Sequence, residues 1–180
     1  MVKRLIFLWV TIILCGCTRP ISQYLCDYYY NDAGGTRSHN KYKKFQKLDT
    51  PLPPGIEENL VFENLYSERI DNGEIKQIER RYLTRLFPNG KCAFKGFSLS
   101  EDLSQASFDI DTWEIGYYKK SKDGYRIYSY GTINCGQFDE YKLITWSNDT
   151  LKFKSRTYYR YVLKVSGIPD AWLIDQQPDW

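Results

Sequence analysis

From Leu151 to Arg156 apolar and basic positions alternate. Leu151, Phe153 and Ser155 fall on one side, and Lys152, Lys154 and Arg156 on the other. A period of two marks a strand with one buried and one wet face. The same period puts Trp113, Ile115 and Tyr117 on one face and sets Cys92 and Phe94 against Lys91 and Lys95. Between such runs stand turn signals. Asp71-Asn72-Gly73, Pro88-Asn89-Gly90 and Lys122-Asp123-Gly124 supply a glycine where a tight hairpin wants a positive φ, and Ser147-Asn148-Asp149 makes a fourth turn. The segments between them are rich in Tyr, Ile, Phe, Trp and Thr, which suit a pleated surface. The pattern predicts strands over 60–70, 75–87, 91–98, 113–120, 125–133, 137–146 and 150–164, the last bent or broken near Ser155–Thr157.

Consecutive hairpins make an antiparallel meander. The fold class is therefore all-β. Its seven or eight strands are expected to close into a barrel or a strongly curved half-barrel, because closure removes exposed edges. Residues 99–112 interrupt the meander, with a helical turn expected to open at Ser100. The tail "GIPDAWLIDQQPDW" (167–180) is expected to turn and lay Trp172 and Leu173 on the barrel. The hairpin spacing, the "RLFPNGKC" turn and the "SNDTLKF" strand entry resemble lipocalin-like small lipoproteins of bacteria. That resemblance covers about residues 58–164 and implies a β-barrel or half-barrel.

The chain upstream has another character. Met1 to Arg4 carries two cations, and an apolar run follows from Leu5 to Gly16. This is the layout of a secretory signal. Its 12 residues are too few for a transmembrane helix, which needs about 20. Signal cleavage wants a small residue before the cut. Leu14 precedes Cys15, but Gly16 precedes Cys17. Leu14-Cys15-Gly16-Cys17 thus resembles the lipobox of bacterial lipoproteins, L-x-G-C, with Cys15 where Ala, Ser or Thr is usual. The resemblance implies that residues 1–16 are removed and that Cys17 is acylated on its thiol and its freed amine. Each buried CH₂ contributes roughly 0.8 kcal/mol, so several chains on one residue anchor durably. Thr18, not Asp, follows Cys17, which in that family points to the outer membrane. No acidic cluster follows either, which points to its periplasmic face.

Residues 17–56 read as a tether that is partly docked, and 57–180 as the β-domain with its short tail. The tether holds a turn-rich break at 31–40, four lysines in "KYKKFQK" (41–47) and three prolines in "DTPLPPG" (49–55). As a coil it would span roughly 35 Å. "YLCDYYY" (24–30) is too aromatic for a free linker and is expected to dock on the domain.

Removing the signal lowers the net charge from +3 to +1, which leaves no basis for nucleic-acid binding. Cys26, Cys92 and Cys135 remain in an oxidising compartment, where an odd count allows at most one internal bridge. Cys92 and Cys135 both lie in the meander and are the expected pair. Closing their loop would stabilise by about 3–4 kcal/mol in the chain-entropy picture. There is no C-x-x-C and the only histidine is His39, so no zinc site is expected. The sequence contains no H-E-x-x-H, no G-x-S-x-G and no phosphate-binding glycine loop. A Ser or Cys nucleophile would have to borrow His39 from the tether. Asp109, Asp111 and Glu114, or Asp139 and Glu140, offer carboxylate pairs for glycoside hydrolysis, although solvated loop carboxylates are the simpler account. No catalysis and no cofactor are expected.

The aromatic content is what remains: 17%, with 16 Tyr. Tyr joins a flat apolar ring to a polar tip, which suits ligand walls and interfaces, and such rings can also simply fill a small barrel. Phe94, Trp113, Tyr117, Tyr125 and Phe153 are the expected pocket lining. Tyr128 and Tyr130 face away from Tyr125 and Ile127, so their side is either covered or offered to a partner. The sequence thus leads to a membrane-anchored envelope lipoprotein whose barrel binds a small hydrophobic or amphipathic ligand. The alternatives are a module docking on an envelope protein through exposed tyrosines and, last, a carboxylate glycosidase.

Overall fold

Each turn marked by those glycines and asparagines is made, and each joins antiparallel neighbours. In the computed structural model, which describes residues 28–38, 49–77, 80–131, 137–174, 176, 178 and 180, a short hairpin comes first: β1 (Tyr29–Tyr30) and β2 (Thr36–Arg37). The meander follows as β3 (Val61–Arg69), β4 (Ile75–Lys76), β5 (Arg80–Leu86), β6 (Lys91–Ser98), β7 (Glu114–Ser121) and β8 (Gly124–Gly131). It ends with β9 (Gln137–Trp146), β10 (Thr150–Lys154) and β11 (Tyr158–Lys164). Cys17, Cys26, Cys135 and the basic run 41–47 lie outside the described residues.

β3 and β5 to β11 pair in sequence order, and β11 returns to β3 from Tyr158↔Arg69 to Lys164↔Phe62. The result is a closed eight-stranded up-and-down barrel, with β4 added beside the far half of β3 through Ser67↔Lys76. Two expected strands are divided. The run 75–87 splits into β4 and β5. The run 150–164 does not merely bend but reverses into the β10–β11 hairpin, with Leu151↔Val162 in register. Its turn needs no glycine, because the Ser155 hydroxyl accepts from the backbone N–H of Tyr158 at 3.0 Å. Residues 99–113 link β6 to β7 through two 3₁₀ turns, Gln105–Phe108 and Ile110–Thr112, which pack on the outer wall. The cap position is Ser104, not Ser100.

Two apolar cores result. One fills the barrel's closed end with Phe62, Leu86, Cys92, Tyr118, Tyr125, Leu143 and Leu151, plugged from below by Leu52, Ile56 and Leu60. Trp146 Nε1 donates to the Pro54 carbonyl at 3.1 Å and the Tyr118 hydroxyl to that of Thr50 at 3.2 Å, tying the plug in place. The other core lies on the outer wall, where Leu83, Ala93, Phe97, Ile115, Tyr117 and Tyr130 are roofed by Phe108, Ile110, Leu173 and Trp180. A strand aromatic on both faces must bury the second face against something, and here the tail and the 3₁₀ turns do so. Arg85 fixes the tail, its Nη2 donating to the Leu173 carbonyl at 2.6 Å. Lys91 Nζ donates to the Pro178 carbonyl at 3.1 Å.

Candidate functional site

The pairing fixes which ends meet. The turns at 88–90, 122–124 and 147–149 gather at the plugged end, and among the described residues the opposite end is open. Behind that mouth lies a lumen of about 500 Å³. Phe94, Ile127, Phe153 and Val162 form an apolar wall that continues into the packed end. Asn64, Thr84, Ser129 and Tyr141 bring polar atoms in at mid-strand. Lys76, Arg80, Glu114, Asp139, Tyr158 and Arg160 line the lumen near the mouth ends of their strands.

Two glycines make room. A Cβ on Gly116 would come within 2.8 Å of Cys92 Sγ and would also strike the Phe94 ring, so its bare backbone makes room for both side chains inside the barrel. A Cβ on Gly96 would stand 3.1 Å from Cε1 of Tyr82, whose ring lies over it. Tyr82 is 43% exposed although it lines the cavity. That is the signature of a wall and not of a filled core.

The charges in the lumen are largely unspent. Glu114 sits opposite Phe94 in the β6–β7 register. It has no ion pair among the described residues, and burial raises its carboxyl above the ordinary range. The side chain is nonetheless accessible: it is wrapped by protein but opens into the cavity. Arg160 lies over the Tyr141 ring at 5.0 Å. Burial raises the Tyr141 hydroxyl, with Arg160 opposing. Asn64 is 9% exposed, and its Oδ1 has no hydrogen-bond partner. A buried acceptor left unpaired costs about 1–3 kcal/mol. It is therefore a place where a ligand's donor would be welcomed.

The expected lining residues are separated by the barrel wall. Phe94 and Phe153 face the lumen. Tyr125 is inside but packed in the closed end. Trp113 and Tyr117 are buried on the outer wall, Trp113 with its Nε1 donating to the Ser107 carbonyl at 3.0 Å. The period of two pairs them with Ile115, but Glu114, Gly116 and Tyr118 form the inner set on β7. Cys92 is a fully buried free thiol whose pKa burial pushes well up, so it behaves as a small apolar side chain. Its expected partner Cys135, like the acyl site Cys17, lies outside the described residues. Among the carboxylates, Glu114 and Asp139 line the lumen with β8 between their strands. Asp109 caps a 3₁₀ turn, and Glu140 pairs outside with Arg126.

Sequence reasoning missed Asn64, Tyr82, Thr84 and Arg160. A signal was there: each shares a face with apolar residues, as Asn64 does with Phe62. Comparison with protein-family models, with characterised proteins and with solved structures finds no match to this chain.

Proposed function

We propose that this chain is a membrane-anchored envelope lipoprotein whose barrel binds a small amphipathic ligand in its lumen and catalyses nothing. Anchoring through acylated Cys17 in the outer membrane rests on the Leu14–Cys17 motif. Binding rests above all on the open lumen, whose volume falls within the usual range for small-molecule sites, about 300–1,000 Å³. Its apolar wall suits a chain or ring. The unpaired charges of both signs near the mouth suit a head group carrying donors and acceptors.

Native mass spectrometry of the protein purified from its host tests this. The expected result is a retained mass that disappears on denaturation. Gly131→Trp supplies the control, because Gly131 lines the lumen and a Cβ there meets nothing within 4 Å. An empty wild-type protein, or equal retention by the plugged variant, would sink the reading.

The docking-module alternative draws on the outer wall of β3 and β11. There Tyr66 stacks on Tyr161 at 4.4 Å, and Lys152 Nζ lies over both Tyr159 and Tyr161. A partner captured by wild type but lost in Tyr161→Ala would favour it.

A further inference from the structure

Of the eight large apolar side chains exposed among the described residues, four gather at one end of the barrel. Ile75 on β4 is 65% exposed and Leu99, just past β6, is 58% exposed. Both belong to the open end. The β1–β2 hairpin docks at the same end, against the residues that lead into β7. Asn31 Nδ2 donates to the Asp111 carbonyl at 2.9 Å, and Arg37 Nη1 to that of Trp113 at 3.0 Å. That hairpin exposes Tyr29 and Tyr30. β4 pairs with the far half of the same β3 edge that β5 pairs with nearer its start, and β6 and β7 follow β5, so these four side chains mark one arc of the rim. The turns of the plugged end present Lys122, Asp123 and Asp149 instead; Leu163 on β11, opposite Thr150, is exposed on the wall near that end, and Leu65 on β3 and Ile174 in the tail are exposed singly.

The same arc receives the leash. Ten residues lie between Cys17 and Tyr28, eleven steps along the chain, a reach of at most about 40 Å when fully extended. That length alone permits several orientations. The apolar rim selects one, since tyrosines favour the headgroup level of a bilayer and Leu and Ile its apolar edge. Lys76, beside Ile75 and lining the mouth, adds an exposed positive charge at the same rim, and anionic headgroups attract such charges.

We propose that the arc of Ile75, Leu99, Tyr29 and Tyr30 rests on the bilayer that holds Cys17, so that the lumen opens toward lipid. This inference rests on the anchored-lipoprotein reading. It does not need the lumen to be occupied.

The test uses the acylated full-length chain in vesicles of phosphatidylethanolamine and phosphatidylglycerol. A benzophenone-bearing residue is placed at Ile75 or Leu99, and separately at Lys122 or Asn148. After irradiation, lipid adducts are read by mass. Adducts at both rim positions and none at the plugged end are expected. Equal labelling at both ends, or no adduct at any position, would overturn the proposal. So would a Cys17 peptide from the host membrane that carries no acyl chain. Ligand retention is read separately by native mass spectrometry. A retained ligand without rim adducts removes the rim alone, and rim adducts around an empty lumen remove only the ligand.

Discussion

Replacing Asn64 with leucine should make the ligand-free barrel more stable and a poorer binder. The side chain is nine-tenths buried between the lumen and the β3–β11 ladder, opposite Val162. Its Oδ1 has no partner. An orphan acceptor costs about 1–3 kcal/mol, and replacing it with an apolar group of similar shape removes that cost without leaving a new one. Leucine branches where asparagine does and can pack toward Phe62 and Val162. The gain should therefore be about 1–3 kcal/mol, or roughly 2–4 °C in Tm for each kcal/mol in a chain of this size. Urea denaturation of ligand-stripped protein would show it as a higher midpoint at unchanged slope. Native mass spectrometry should show reduced retention of the co-purified ligand. A loss of more than about 1 kcal/mol would refute the reasoning, because the oxygen would then have been satisfied. Stabilisation with unchanged retention would refute only its contact with ligand.

Four further outcomes are expected. Phe153→Ala, inside the barrel, should cost about 3–5 kcal/mol, whereas Lys154→Ala, exposed on the other face of β10, should be nearly silent in the same denaturation assay. Arg85→Met should cost about 1–3 kcal/mol by leaving the Leu173 carbonyl unpaired, and red-shifted tryptophan emission should report the loosened tail. The Asp123 carboxyl is held at about 2 by hydrogen bonds from Lys142 and Ser121. Its stabilising effect is full above the ordinary value of 3.8 and is lost as pH falls through about 2. Carboxyl-carbon NMR should find that low midpoint, and Lys142→Ala should raise it. Labelling of cells with a palmitate analogue should vanish in Cys17→Ala and persist in Cys15→Ala.

The barrel was legible wherever a turn was written in glycine or asparagine. The turns at 71–73, 88–90, 122–124 and 147–149 all read correctly, and with them the antiparallel order of β5 to β10. The β10–β11 reversal was not legible as a hairpin, because Ser155 makes it with side-chain hydrogen bonds and no positive φ. Alternation in β10 placed Leu151 and Phe153 inward and Lys152 and Lys154 outward, as found. In β7 the same rule grouped Trp113, Ile115 and Tyr117 correctly yet could not say which side of the wall they occupy. That depended on a tail more than fifty residues downstream in the sequence. Within the site, the aromatic wall was partly visible as Phe94 and Phe153. The polar groups were missed because Asn64, Thr84 and Arg160 are polar side chains on inner faces, and only their shared period with Phe62, Leu86 and Val162 marked them as inward.

The Arg37 guanidinium stands 4.8 Å over the Trp180 ring while it donates to the Trp113 carbonyl. The segment entering the barrel and the tail roofing it are thereby clasped together. Mechanically, this decides where a pull is felt. Tension applied upstream of Tyr28 reaches the β1–β2 hairpin and its clasp before it reaches any barrel strand. Among the described residues the clasp rests on hydrogen bonds from Asn31 and Arg37 and the Arg37–Trp180 stack, whereas β3 is held by ladders on both edges. Under load applied from the N-terminal side the clasp should yield first, freeing the hairpin while the barrel stays intact: a mechanical fuse between the N-terminal segment and the barrel.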